Sequence, residues 1–398
     1  MIKLSSFDLA VDFMNKKLLN RYTENDVFGV QLSDNRIGYC LILGQNGTHL
    51  SLSVYIGNEG IQSLATSLKG AHYTEDFTGM SADDSFYLHS ETCLQCYFEE
   101  ADMISEEEQQ EAIRYFMKRG IRITNHMFFP CLTSWRDRRM PYPVNREEEN
   151  DLVLALQAAL YISDHPEYLS SGRKVFPYGE TIPLFTGKNK KWKVTETVCP
   201  KEEPVQYFTA RLPGEEILNE IRNKPIGRKS AVRSSIRVGL FKIEEGVSEE
   251  DPAAYCPVVA LFLINGKVVR HVMSAAVSQD DFDELVSDIA DLLCEMRQRP
   301  SLLTVDGWYG YHLMEGLCKA VGISLEHVSE DEEMDRLFED FYSGMEDPDD
   351  IVMKTLEQLQ ENPEMVDMLK KFLEGMVGAV PEDVDMESMM KLIGKGMN

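Results

Sequence analysis

YCLILGQNGTHLSLSVY, residues 39–55, reads as a β-hairpin: two apolar runs flank an Asn-Gly pair, the dipeptide best suited to the positive φ angles of a tight hairpin turn. In its second arm Leu50, Leu52, Val54 and Ile56 alternate with Ser51, Ser53 and Tyr55, the period of two that puts successive side chains on opposite faces of a strand. The pattern returns in YCPVVALFLINGKVVRHVM, residues 255–273, around Asn265-Gly266.

Working outward from each hairpin gives the same order of elements. In the first half, an amphipathic helix over residues 2–24 carries Phe7, Leu9, Val11, Phe13, Leu18 and Leu19. Strand DVFGVQL and the hairpin follow, then a helix with Asn58 as its cap and Ile61, Leu64 and Leu68 on one stripe. A polar insertion over 70–90, strand TCLQCYF, helix EEEQQEAIRYFMKRG and a short strand at IRI complete it. Lys118, Arg119 and Gly120 are the stop chemistry of that last helix. In the second half, strand SIRVGLFKI precedes the hairpin. Ser278 and Asp281 open a helix striped by Phe282, Leu285, Val286, Ile289, Leu292, Leu293 and Met296. Strand SLLTVD, helix YHLMEGLCKAVG and strand ISLEHV close this half. Both halves spell β-β-β-α-β-α-β, which predicts an internal duplication in which residues 26–123 and 236–328 share one topology, with the two Asn-Gly turns equivalent.

The expected class is therefore α+β, with mixed sheets. Residues 1–125 form a first module, 126–235 a connector with helix REEENDLVLALQAALYI and a hairpin about Gly187–Lys190, 236–345 a second module, and 346–398 an acidic, methionine-rich helical tail. A chain of 398 residues is long enough for two cores. At 43% hydrophobic and 27% charged, its composition is that of a folded globular protein. The formal charge of -27 repels phosphate backbones and argues against nucleic acid as a partner. The N-terminal stretch has no sustained apolar core, and no run approaches a membrane span. The eight cysteines mostly sit in apolar runs, as core thiols do, which suits a reducing cytoplasm.

Chemistry-bearing residues are sparse. Three antiparallel strands followed by α-β-α-β is the order of the ribonuclease H-like fold, whose nucleases hold metal ions with several carboxylates. Asp306 ends SLLTVD at a suitable place, but neither first strand offers an acid. One carboxylate does not hold a metal pair, so Asp306 before Gly307 reads as a turn residue or helix cap. Cys93 and Cys96 form a CxxC inside an alternating strand, where residues three apart face opposite ways and share no metal. The histidines are scattered, and no hydrolase elbow, phosphate loop or dinucleotide fingerprint appears. No catalytic residue, metal or cofactor follows. Lys224, Arg228, Lys229, Arg233 and Arg237 make a basic linker suited either to phosphate or to the protein's own acidic surface. Trp308 and Tyr309, in the Gly-flanked DGWYG stretch, are either exposed for a partner or buried as core anchors.

Between Glu330 and Asp350 there are eleven acids and one arginine. Beyond them the tail predicts helices over roughly 350–377 and 384–394, with Met368, Phe372 and Met376 on an apolar stripe that needs a partner. DVFGVQLSDNRIGYCLILGQNGTHLSLSVYIGNEGI, then EEENDLVLALQAAL after Pro130, Pro141 and Pro143, then the region around 301–328, resemble an uncharacterised bacterial family of two-domain proteins of unknown function. That resemblance implies a fold context and no activity. The reading is a non-enzymatic binding or regulatory protein acting through protein contacts, with Asp306, Trp308, Tyr309, Met368, Phe372 and Met376 as candidate contact residues and self-association or a protein partner at the tail. The alternative is an enzyme whose inter-module cleft takes a phosphate-containing substrate.

Overall fold

A computed structural model describes residues 2–44, 51–70, 82–88, 90–100, 104, 106–124, 127–188, 191–227, 235–242, 256, 258–264, 267–274, 279–328 and 331–343. Both Asn-Gly turns, Ser278 and the tail fall outside the described residues. Residues 1–331 and 332–398 are separate compact units.

The first unit holds two sheets. The larger contains β1 (Phe28–Gln31), β2 (Ile37–Leu43), β3 (Ser51–Ile56), β4 (Cys93–Glu99), β5 (Phe129–Trp135), β6 (Tyr142–Pro143), β7 (Thr181–Lys188) and β8 (Lys191–Val198). Their spatial order is β6-β5-β4-β3-β2-β1-β7-β8. Every pairing is antiparallel except β1 with β7, where Gly29 faces Leu184 and Val30 faces Phe185.

Alternation along these strands makes two cores. One face places Cys40, Ile42, Leu52, Val54, Leu94, Cys96 and Phe98 beneath three helices, α1 (Leu4–Lys16), α4 (Glu106–Arg119) and α5 (Arg146–Asp164). The other face places Tyr39, Leu41, Tyr55 and Cys93 against Ile61 and Leu64 of α2 (Gly57–Gly70). The expected helix over 2–24 is shorter: Lys17 takes a left-handed conformation at φ 49° and a 3-10 turn follows at Leu18–Asn20. Asn58 lies inside α2 rather than capping it, since the helix begins at Gly57. For α5 the cap is explicit: the Asn145 side chain accepts from the N–H groups of Glu147 and Glu148, and the Glu148 carboxylate accepts from Asn145 N–H.

The smaller sheet contains β9 (Ser235–Lys242), β10 (Val258–Ile264), β11 (Lys267–Ser274), β12 (Leu302–Asp306) and β13 (Ser324–Val328), in the order β11-β10-β9-β12-β13. β9 to β11 form an antiparallel meander, and β12 runs parallel to both β9 and β13. Its core gathers α6 (Glu215–Asn223), α7 (Gln279–Glu295) and α8 (Trp308–Val321), through Leu218, Ile221, Phe282, Leu285, Leu313 and Leu317. The second unit contributes α9 (Glu332–Ser343).

The α+β class and the mixed sheets are as expected; the shared topology is not. In the second half α7 carries the chain across the sheet, so β12 lies beside β9 and parallel to it. In the first half β4 turns back antiparallel onto β3, and the place beside β1 goes to β7. The expected strand at IRI is also absent: residues 121–124 have no regular structure, and Ile121 and Ile123 are exposed. A strand starting straight after α4 favours a parallel crossover. The longer path to Phe129 instead brings β5 antiparallel to β4. Residues 129–198, read from sequence as part of the connector, supply four strands of the larger sheet.

Within the 70–90 insertion, residues 82–88 form a helix, α3 (Ala82–Leu88). It packs against β9 of the other sheet, and Phe86 belongs to that sheet's core.

Candidate functional site

The carboxyl end of β12 carries the candidate site. Asp306 pairs in register with Gly239 of β9 and Val328 of β13, and is 2% exposed. Gly307 donates its N–H to the Val328 carbonyl at 3.0 Å and sits at φ 79°, ψ 159°, a conformation open to glycine and costly for other residues. That turn lets α8 start at Trp308. DGWYG is therefore a strand-to-helix junction and not a free loop.

The first N–H groups of a helix lack intrahelical acceptors and carry the positive end of its dipole. Here a side chain from α3 supplies the acceptor. Asp83 Oδ2 accepts from Trp308 N–H at 2.7 Å and Oδ1 from Tyr309 N–H at 3.0 Å. The acceptor for these two N–H groups is thus Asp83, where the helix-cap reading places Asp306; Asp306 is the last residue of β12, directly before the Gly307 turn. Burial pushes the Asp83 carboxyl pKa up, opposed by the two N–H donors and by nearby His327.

Behind Asp83 the contact is aromatic. Phe86 stacks on Tyr309 with ring centroids 4.5 Å apart, Tyr207 meets Tyr309 edge-on at 5.1 Å, and Phe208 stacks on Phe282 at 4.0 Å. Tyr309 is 5% exposed and is a core anchor. Trp308 takes the other role: it is 41% exposed. Its ring stacks on His327 at 3.8 Å and 17°, with His312 at 5.9 Å and Tyr311 edge-on at 5.5 Å. His312 is itself stacked on Tyr207 at 4.7 Å. Burial lowers the His327 pKa, His312 lowers it further and Asp83 opposes the fall. The result is a stacked platform of exposed Trp308 with half-buried Tyr311, His312 and His327, seated on an aromatic core. Glycine spacing drew attention to Trp308 and Tyr309. His312 stands one helical turn beyond Trp308, at i+4 on α8; Asp83, Tyr207 and His327 have no local signal linking them to it.

The other candidates separate. Cys93 and Cys96 belong to cores on opposite faces of the larger sheet, and burial raises both thiol pKa values. Among the described residues no three His, Cys, Asp or Glu side chains converge as metal ligands. From the basic linker, Lys224 Nζ donates to the Cys294 and Met296 carbonyls and Arg237 pairs with Asp331 at 3.1 Å. Arg228, Lys229 and Arg233 fall outside the described residues, as do Met368, Phe372 and Met376. A cavity of about 400 Å³ lies apart from the platform; Tyr168, Arg173, Ile182 and Glu196 are among its lining residues, all from the layer of the larger sheet.

Two sheets joined by α3 define a two-part α+β chain, and two family models match separate parts of it. Residues 5–172 match the model described as Domain of unknown function (DUF7309), and residues 223–342 match Domain of unknown function (DUF6930). These two models cover separate halves, consistent with an uncharacterised two-domain family. No curated protein matches the chain, and no solved structure matches it. No helix among the described residues is long and apolar enough to cross a membrane.

Proposed function

We propose that the protein is a non-enzymatic binding or regulatory protein of the cytoplasm, acting through protein contacts, and that the Trp308 platform is its contact surface. The supporting observation is an exposed tryptophan held in a fixed orientation by His327 and, through its backbone, by Asp83. Large rigid aromatics give contact area at low conformational entropy, and they anchor interfaces for that reason. The alternative enzyme on a phosphate-containing substrate draws less support, because Lys224 and Arg237 are committed to internal acceptors. The tail enters on its sequence alone, as a further contact segment.

The test is comparative capture from the native host with the full chain and with Trp308→Ala. A partner held by the parent chain is identified, purified and titrated against both. The reading expects affinity to fall by at least roughly tenfold, as for loss of an interface anchor. Equal affinities would remove the platform from the contact.

A further inference from the structure

α4 buries one apolar face and leaves apolar surface exposed beside it. Ala112, Tyr115 and Phe116 are buried in the core. Its inward acids are engaged: Glu108 accepts from Tyr97 Oη at 3.0 Å and Thr133 Oγ1 at 2.9 Å, and Glu111 accepts from Ile2 N–H at 3.0 Å. The outward side carries Gln110, Arg114, Met117 and Lys118, with half-buried Ile113 at its border with the core, around a shallow groove of about 340 Å³. Their spacing of 0, 3, 4, 7 and 8 is one helical stripe. Met117 is 72% exposed, and Ile121, Ile123 and Phe128 continue the apolar exposure beyond the helix end. Four of the eleven exposed large hydrophobics among the described residues therefore fall within residues 117–128.

We infer that this stripe docks a second copy of the chain, α4 against α4 in antiparallel register about a two-fold axis. A two-fold interface must be complementary to its own image, and the charge gradient of EEEQQEAIRYFMKR meets that condition. Glu107 and Glu106 lie three and four residues before Gln110 in the helix sequence, at the acidic end; Lys118 and Arg122 stand at the basic end and are exposed. Antiparallel pairing opposes the acidic end of one copy to the basic end of the other, with Ile113 and Met117 between. Parallel pairing would oppose like charges. A foreign partner is not needed to supply either sign.

The test is sedimentation velocity of the full chain between about 1 and 100 µM, the range of a modest interface. The parent chain is expected to dimerise. Met117→Glu, at a position too exposed to disturb folding, should weaken the dimer at least roughly tenfold, with an unchanged far-ultraviolet circular dichroism spectrum. Lys118→Glu with Arg122→Glu should dissociate it, and adding Glu106→Lys with Glu107→Lys should restore it, because each charge reversal is matched across the axis. A parent chain monomeric throughout overturns the inference. So does a dimer that persists in Met117→Glu, or one lost only when residues 346–398 are removed.

Discussion

The Asp83 carboxylate accepts the backbone N–H of Trp308 at 2.7 Å across 225 residues of sequence. With the bond to Tyr309 it supplies the cap of α8 from the opposite half of the chain. Replacing Asp83 by Ala leaves two N–H groups without their acceptor in a nearly closed site, at a cost of about 2 kcal/mol. Asp83→Asn keeps an acceptor oxygen and should recover part of that. Urea midpoints of the full chain measure both, and hydrogen exchange at residues 308–311 locates the loss. An unchanged midpoint in Asp83→Ala refutes the cap.

Gly307→Ala tests the same junction from the other side. A β-carbon there would lie 2.6 Å from Asp83 Oδ1, and the residue sits at φ 79°. The substitution should cost about 1–3 kcal/mol. Because both changes break one contact, Asp83→Ala and Gly307→Ala together should cost less than their sum. Strict additivity in a double-mutant cycle would show that the two strains are unrelated.

His327 makes stability depend on pH. Its folded pKa is below its ordinary value through burial, so over the window from about 6.5 down to the folded pKa the unfolded chain binds more protons. Stability should therefore fall as pH drops below about 6.5 and be flat with respect to this group above it. Asp83, raised by burial, acts in the opposite sense at lower pH: between its ordinary and folded values the native state binds the extra proton. His312 also faces the ring. Urea midpoints across this range should show a smaller slope in His327→Gln; an identical slope would place the dependence elsewhere.

Asp26 is fully buried and accepts from the N–H groups of Thr23, Gly172 and Arg173 at 2.8, 2.9 and 3.0 Å. It joins the approach to β1 to the turn before β7, beside the parallel pairing of those strands. Asp26→Ala should cost about 3 kcal/mol, since it strands several donors at once, and Asp26→Asn less. Calorimetry of the full chain decides, and a loss within experimental scatter would mean that water replaces the carboxylate.

Periodicity told faces well and neighbours poorly. Leu52 and Val54 against Tyr55, or Phe282 through Leu293, were legible because alternation and helical spacing are properties of a single segment. The placing of Cys93 and Cys96 on opposite faces came from the same rule. Strand order is a property of pairs of segments. Nothing local in TIPLFTGK marks it as the parallel neighbour of FGVQ, so the duplication inferred from element order failed on which strands pair. The platform was half legible: Gly307 and Trp308 stand next to each other, but Asp83 in a polar insertion and His327 on another strand reach the site only through tertiary folding.

α3 also imposes a timetable. On a ribosome adding about 5–20 residues per second, the 225 residues from Asp83 to Trp308 take roughly 11–45 s to emerge. From the point in that interval at which Val198 has emerged, β1 to β8 can close, while Phe86 still has no Tyr309 to cover it. The nascent first half therefore exposes an aromatic side chain that only the later half can bury, a handle for chaperones during synthesis and a seam along which a truncated chain would aggregate.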